Sequence, residues 1–274
     1  MSKRLPISYP LAFGWTLGSA SCLFWLLQLS VALRPSAATD VVQIGAVEAL
    51  VFLLGVLGVL SLHGRDAPLL ASLGVRPTHP ALAILGVALG LASHFPAESI
   101  DILVERRLPG AAEDLAAEAT LLSASSPLRL VLVLFVIACV GPLVEELFFR
   151  GALYGALRRT HGAIGAATVS GLCFVLAHVS NYRKWPALAV VALAMTHLRA
   201  ASGSLLPSLA MHVAFNAVTV LAFFTGQVSI GHPPTLDVVP ALAGSLVTVG
   251  LMLAVQFVAM RAEDARRGRA EDAE

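Results

Sequence analysis

The chain has 274 residues, of which 57% are hydrophobic and 13% charged, with a net charge of +1 and a mean hydropathy of +0.83. A soluble domain carries about twice that share of charged residues, and so balanced a charge leaves no basic surplus for a nucleic-acid partner. Three cysteines, Cys22, Cys139 and Cys173, all sit within apolar runs and lack metal-ligand spacing, the pattern of buried thiols rather than of a disulfide framework or a zinc site.

Eight apolar spans follow in chain order: Leu11–Leu33, Val41–Leu62, Ala81–Phe95, Leu128–Phe149 (continuing toward Leu157), Ala163–Val179, Pro186–Leu198, Leu205–Phe224 and Val238–Met260. Blocks of about 20 apolar residues between short polar stretches predict an all-α membrane protein. The expected architecture is one integral membrane domain over 1–274, a polytopic bundle of about eight transmembrane helices with no internal repeat. Its motif-bearing core runs from about 128 to 225, and a charged tail of 261–274 is expected to be disordered or a frayed helix end. The third and sixth spans are short, and tilt or extension into flanking residues lets them cross.

The first span follows Lys3 and Arg4, yet its apolar length exceeds the ~7–15 residues of a signal h-region and no small-residue cleavage site follows it. Ser19-Ala20-Ser21-Cys22 lacks the branched residue that opens a lipoprotein site. An uncleaved first helix is expected. With eight spans and a cytoplasmic N-terminus, twelve Lys and Arg fall on the cytoplasmic side against six on the other, which predicts both termini inside. The longest interruption, Pro96 to Pro127, contains Ala111–Leu122, whose composition suits an interfacial helix, a lid or a solvated connector alike. Sixteen Arg against two Lys, in an Ala- and Leu-rich chain, point to a high-GC bacterium and so to its inner membrane.

A charged side chain in hydrocarbon costs at least ~2.5–3.5 kcal/mol on insertion scales, so each one kept there is a functional candidate. Glu145, Glu146 and Arg150 follow the apolar run Leu130 to Val140 in the stretch Gly141-Pro142-Leu143-Val144-Glu145-Glu146-Leu147-Phe148-Phe149-Arg150-Gly151. Glu146 and Arg150 lie four apart on one helix face and can neutralise each other. Glu145 points about 100° away from Glu146 and has no local partner. His178 closes the run Phe174-Val175-Leu176-Ala177-His178, and His212 shares a face with Asn216 four residues on. Glu48, His94 and His197 lack polar companions at helical spacing and are expected to be structural or interfacial. At ~1.5 Å rise per residue, Glu145, His178 and His212 fall roughly 18, 22 and 12 Å from their helix ends at Leu157, Ala163 and Ser204. Those depths allow the three to meet within a ~30 Å core.

Glu145-Glu146-x-x-x-Arg150, Phe174-x-x-x-His178 and His212-x-x-x-Asn216 resemble, in order, the three motifs of the CPBP family. This is the family of type II CAAX prenyl endopeptidases and of bacteriocin-processing or self-immunity proteins, also called the ABI family. The resemblance implies an intramembrane endopeptidase that cuts a membrane-anchored protein or peptide. CAAX-type C-terminal processing, bacteriocin maturation or immunity, and sorting-tail cleavage of the myxosortase kind are the roles it allows.

The residue types fit such a hydrolase. Glu145 in apolar surroundings suits general acid/base work on a water, and His178 is placed to hold that water with it. His212 and Asn216 can donate to a developing oxyanion, with Glu146 and Arg150 as a supporting ion pair and Phe174 beside them. No cofactor is favoured. Zinc on Glu145, His178 and His212 is the rival chemistry, since one carboxylate with two imidazoles is an accepted catalytic ligand set, although His-Glu-x-x-His is absent. A proton-coupled transporter using Glu48, Glu145, His178 and His212 lacks the repeated halves such proteins show. A non-catalytic membrane scaffold is the third alternative. Composition and spacing leave the oligomeric state and the substrate open.

Overall fold

The computed structural model describes residues 5–110, 116, 120–122, 126–225 and 235–271, and among them every regular element is helical. Helices α1 (Tyr9–Leu33) and α2 (Val41–His63) begin on the side-chain caps Ser8 and Asp40, which accept from Leu11 N and Gln43 N. Such caps satisfy N–H groups that have no partner inside the helix. A short turn, α3 (Leu69–Ser72), precedes α4 (Pro80–Ala92) and α5 (His94–Arg107). The third expected span therefore does not stop at Phe95. Pro96 falls in the first turn of α5, where its missing N–H disrupts nothing, and the helix runs on to Arg107 through sequence expected to be a connector. Most of the expected interfacial segment Ala111–Leu122 lies outside the described residues.

The centre of the fold is a rod of three α-helices, α6 (Pro127–Val133), α7 (Gly141–Glu146) and α8 (Tyr154–Ala177). They are joined through π-helical turns at Leu134–Val140 and Leu147–Leu153. The rod turns at Gly162, whose φ of 72° and ψ of −174° belong to a region open essentially to glycine. Beyond it the chain runs antiparallel to itself: Ser170 and Phe174 contact Phe149, and His178 faces Glu145. The fourth and fifth expected spans are the two arms of this hairpin.

Each π turn leaves carbonyls out of α register, and neighbouring helices supply donors to them. Asn216 Nδ2 bonds Ile137 O at 2.9 Å, Ser170 Oγ bonds Phe149 O at 2.9 Å, and Arg199 Nε bonds Arg150 O at 2.8 Å. Within hydrocarbon such donors have to come from the protein, because no water is there to provide them.

Three helices complete the bundle: α9 (Trp185–Ser202), α10 (Leu206–Phe224) and α11 (Val238–Glu271). Helix α9 stops at Gly203, which adopts φ 62°, the left-handed C-terminal cap that favours glycine. Helix α11 continues past Met260 to Glu271, so residues 261–271 are a helical extension of the last span rather than a disordered tail. All eight expected apolar spans lie on helix. By length and composition, six helices among the described residues can cross a membrane, counting Pro127–Ala177 as one and Pro80–Arg107 as one. The 18-residue α9 is not among them.

Side chains such as Leu33, Leu57, Leu246 and Leu253 are exposed on the outward faces, a surface that suits lipid and not water. The chain is a multi-pass membrane protein. Inside, small residues let backbones approach. A Cβ on Gly86 would lie 2.4 Å from Pro207 O, and one on Gly90 2.5 Å from Met211 O, so α4 packs backbone to backbone on α10. On α2, a Cβ on Gly45 would lie 2.3 Å from Val136 Cγ1 and one on Gly55 2.8 Å from Phe148 Cε2. These two contacts fasten α2 along the rod.

Candidate functional site

The bundle encloses a cavity of about 150 Å³ between α2, the rod, α9 and α10. Glu145, His178, His212 and Asn216 line it together with Phe174, Glu48, Gly141 and Pro142. The separate stretches singled out in the sequence thus converge on one space.

Glu145 sits at the centre, buried on α7. Its Oε1 lies 3.8 Å from His178 Nε2 and its Oε2 3.5 Å from His212 Nε2, so each carboxyl oxygen faces one imidazole. Both separations exceed an ordinary hydrogen bond, as catalytic contacts often do before substrate arrives. His178 occupies the C-cap of α8, with φ −89° and ψ 38°, where the helix gives way to a 3-10 turn at Val179–Lys184. Its Nδ1 is 2.9 Å from Phe174 O. A carbonyl only accepts, so Nδ1 carries the proton and Nε2 is the nitrogen presented to Glu145. Trp185 Nε1 donates to His178 O at 3.0 Å and fixes the backbone at the same residue.

His212, buried on α10, stands between the two acids. While its Nε2 faces Glu145, its Nδ1 lies 3.4 Å from Glu146 Oε1. A carboxyl oxygen thus lies near each nitrogen of the ring. Glu146 also accepts from Arg150 Nη1 at 2.8 Å, and both side chains of this pair are fully buried. The ion pair expected from their spacing is therefore present. It underlies the cavity rather than lining it.

Phe174 joins these parts. Arg150 Cζ lies 4.3 Å from its ring centroid, a cation–π approach. The ring meets His212 edge-on at 5.6 Å, with an interplanar angle of 78°, and His178 at 4.9 Å. One aromatic side chain thereby fixes both imidazoles relative to the ion pair.

Asn216 contributes through its amide. One N–H is taken by Ile137 O, and the group has a second. The bond exists because of Pro142. In the π register the N–H of Gly141 reaches Val136 O, and the next N–H would reach Ile137 O, but proline has none.

Glu48 departs from its sequence-based expectation. It lines the cavity, whose other acid is Glu145. Glu145 lies on a different helix, so no spacing within the span of Glu48 marks the pair. His94 and His197 lie elsewhere and bond main-chain carbonyls, His94 Nε2 to Phe215 O at 2.9 Å and His197 Nε2 to Met252 O at 3.0 Å. Among the described residues, no group of three or more His, Cys, Asp and Glu side chains is arranged to hold a metal ion.

No curated protein and no solved structure matches the chain. Residues 127–218, which carry Glu145, Glu146, Arg150, Phe174, His178, His212 and Asn216, match the family model described as Type II CAAX prenyl endopeptidase Rce1-like. Over that stretch the chain is similar to the type II CAAX prenyl endopeptidases.

Proposed function

We propose that the protein hydrolyses a peptide bond of a membrane-anchored protein or peptide, without a metal, using Glu145 as general base and acid. The observation that carries this reading is the placement of Glu145 between two imidazoles, one at each carboxyl oxygen. A water bound by Glu145 and the free Nε2 of His178 gives its proton to Glu145 as its oxygen attacks the scissile carbonyl carbon. The oxyanion so formed accepts hydrogen bonds from His212 and from the second N–H of Asn216. Collapse breaks the C–N bond, and Glu145 passes the proton to the leaving amine. Glu146 and Arg150 remain paired throughout and hold α7 and His212 in place.

A chain of predominantly apolar helices and a cavity walled by Ile137, Leu188, Val191 and Phe215 support a substrate presented from the bilayer, with the charge balance of the loops favouring cytoplasmic termini in a bacterial inner membrane. The test uses the purified full-length protein in detergent with two peptides, one farnesylated at a CAAX terminus and one carrying an unmodified apolar anchor. Mass spectrometry of the products in H₂¹⁸O is expected to show one internal cut with ¹⁸O in the new carboxylate, at undiminished rate with zinc chelated. Neither peptide cut at any enzyme concentration would count against the hydrolase, and loss of cleavage on chelation, restored by zinc, would overturn the metal-free scheme.

A further inference from the structure

Glu48 is the acid of the cavity that the hydrolysis above does not use, and it lies outside residues 127–218, the stretch that matches the family. Its neighbours one turn away on α2 are Ile44, Gly45, Val51 and Phe52, so its own helix offers it no polar partner. Gly45 against Val136, Phe52 against the rings of Phe148 and Phe149, and Gly55 against Phe148 all lie on the same face of α2. Glu48 projects from the middle of that fastened face. Its Oε2 is 3.4 Å from the point that a Cβ on Gly141 would occupy, so the missing side chain at 141 gives the carboxyl its approach to the rod. The titratable side chains around it are Glu145, His178 and His212, with the Glu146–Arg150 pair beyond Glu145. An acid in this setting is costly unless partnered, and the acid that shares the cavity wall with it, one turn along α7 from Gly141, is Glu145.

We propose that Glu48 is a positioning residue for Glu145: its protonated carboxyl donates a hydrogen bond that orients the Glu145 carboxylate toward the water and the scissile carbonyl. This rests on the assignment of Glu145 as the base. A hydrogen bond between two carboxyls requires one proton between them. That proton stays with Glu48 through the cycle, while the proton taken from water travels by Glu145 to the leaving amine, so none is gained or lost.

The experiment measures kcat and KM on the peptide that the wild type cuts, for Glu48→Gln, Glu48→Ala, Glu48→Leu and Glu145→Ala, each with its melting temperature in detergent. Glu48→Gln keeps an N–H donor and is expected to retain kcat within about threefold, whereas Glu48→Ala and Glu48→Leu lose roughly 10- to 100-fold in kcat with KM little changed, the range for a hydrogen bond to a charged group. Glu48→Leu, which suits an apolar setting, carries the comparison if the alanine variant does not fold. Full kcat in Glu48→Leu beside an inactive Glu145→Ala would overturn the proposal alone, as would a folded Glu48→Gln that falls as far as Glu48→Leu. Cleavage that survives in Glu145→Ala would overturn the hydrolysis scheme and this proposal with it.

Discussion

Asn216 donates from Nδ2 to the carbonyl of Ile137 at 2.9 Å, in the place that the main-chain N–H of residue 142 would occupy were it not a proline. The bond ties α10 to the rod one helical turn beyond His212 and leaves Asn216 with one N–H for chemistry. A break in the main-chain ladder and a candidate oxyanion donor are thus two sides of one contact.

Asn216→Ala strands the Ile137 carbonyl, at a cost of about 1–3 kcal/mol for an unsatisfied group, and removes an oxyanion donor worth about 10²–10³ in kcat. Both melting temperature and kcat are expected to fall. Adding Pro142→Ala supplies an N–H for Ile137, so the double variant is expected to recover stability but not kcat. Thermal melts and rates on the four members of the cycle test this separation.

Glu146 and Arg150 form a fully buried pair, and removing one partner leaves an uncompensated charge. Arg150→Met is expected to destabilise by about 3–5 kcal/mol, while Glu146→Leu combined with Arg150→Met is expected to be much milder because no charge is stranded. The double variant still loses activity, since His212 Nδ1 no longer has Glu146 Oε1 beside it at 3.4 Å. Melting temperatures of the two singles and the double, read against kcat, check it.

Contact between α4 and α10 sets the position of His212. Gly90→Ala puts a methyl where Met211 O stands 2.5 Å away, and overpacking of this kind costs about 1–3 kcal/mol. The displacement reaches His212 through its neighbour, so kcat is expected to fall further than the melting temperature suggests. Gly14→Ala, where nothing lies within 4 Å, is the control expected to leave both unchanged.

At the start of α2, the Gln43 N–H and then Arg34 hold the Asp40 carboxyl below the usual carboxylate range. A depressed value means that this contribution to stability is present above about pH 4 and is lost as pH falls through the folded-state value. Asp40→Asn keeps a capping oxygen without titrating. Melting curves from pH 7 to pH 3 are expected to show the wild type losing more stability than Asp40→Asn over the acid end.

The helical architecture was legible because a lipid-facing helix is apolar nearly all round, and every expected span lies on a helix. Glu145, His178 and His212 stood out for the same reason, as ionisable groups in apolar runs, and Glu146 with Arg150 because four-residue spacing on a helix is itself a contact. Glu48 reads as structural or interfacial because its cavity neighbours lie on other helices, and pattern within one span carries nothing about that. The π turns leave no period in the sequence. Pro142, in the middle of an apolar helix, marks the place where a carbonyl needs an outside donor, but not which side chain provides it. Pro96 reads as a stop in the sequence, although in the first turn of α5 a proline ends nothing.

The most direct test of the central claim is kcat for Glu145→Gln beside wild type, on the same peptide and at matched melting temperature. Glutamine preserves shape and packing but cannot take a proton from water, so a loss of at least about 10²-fold is expected from general acid/base catalysis alone. A folded Glu145→Gln that cleaves within about threefold of wild type would contradict the account, because that proton transfer is the whole role assigned to Glu145.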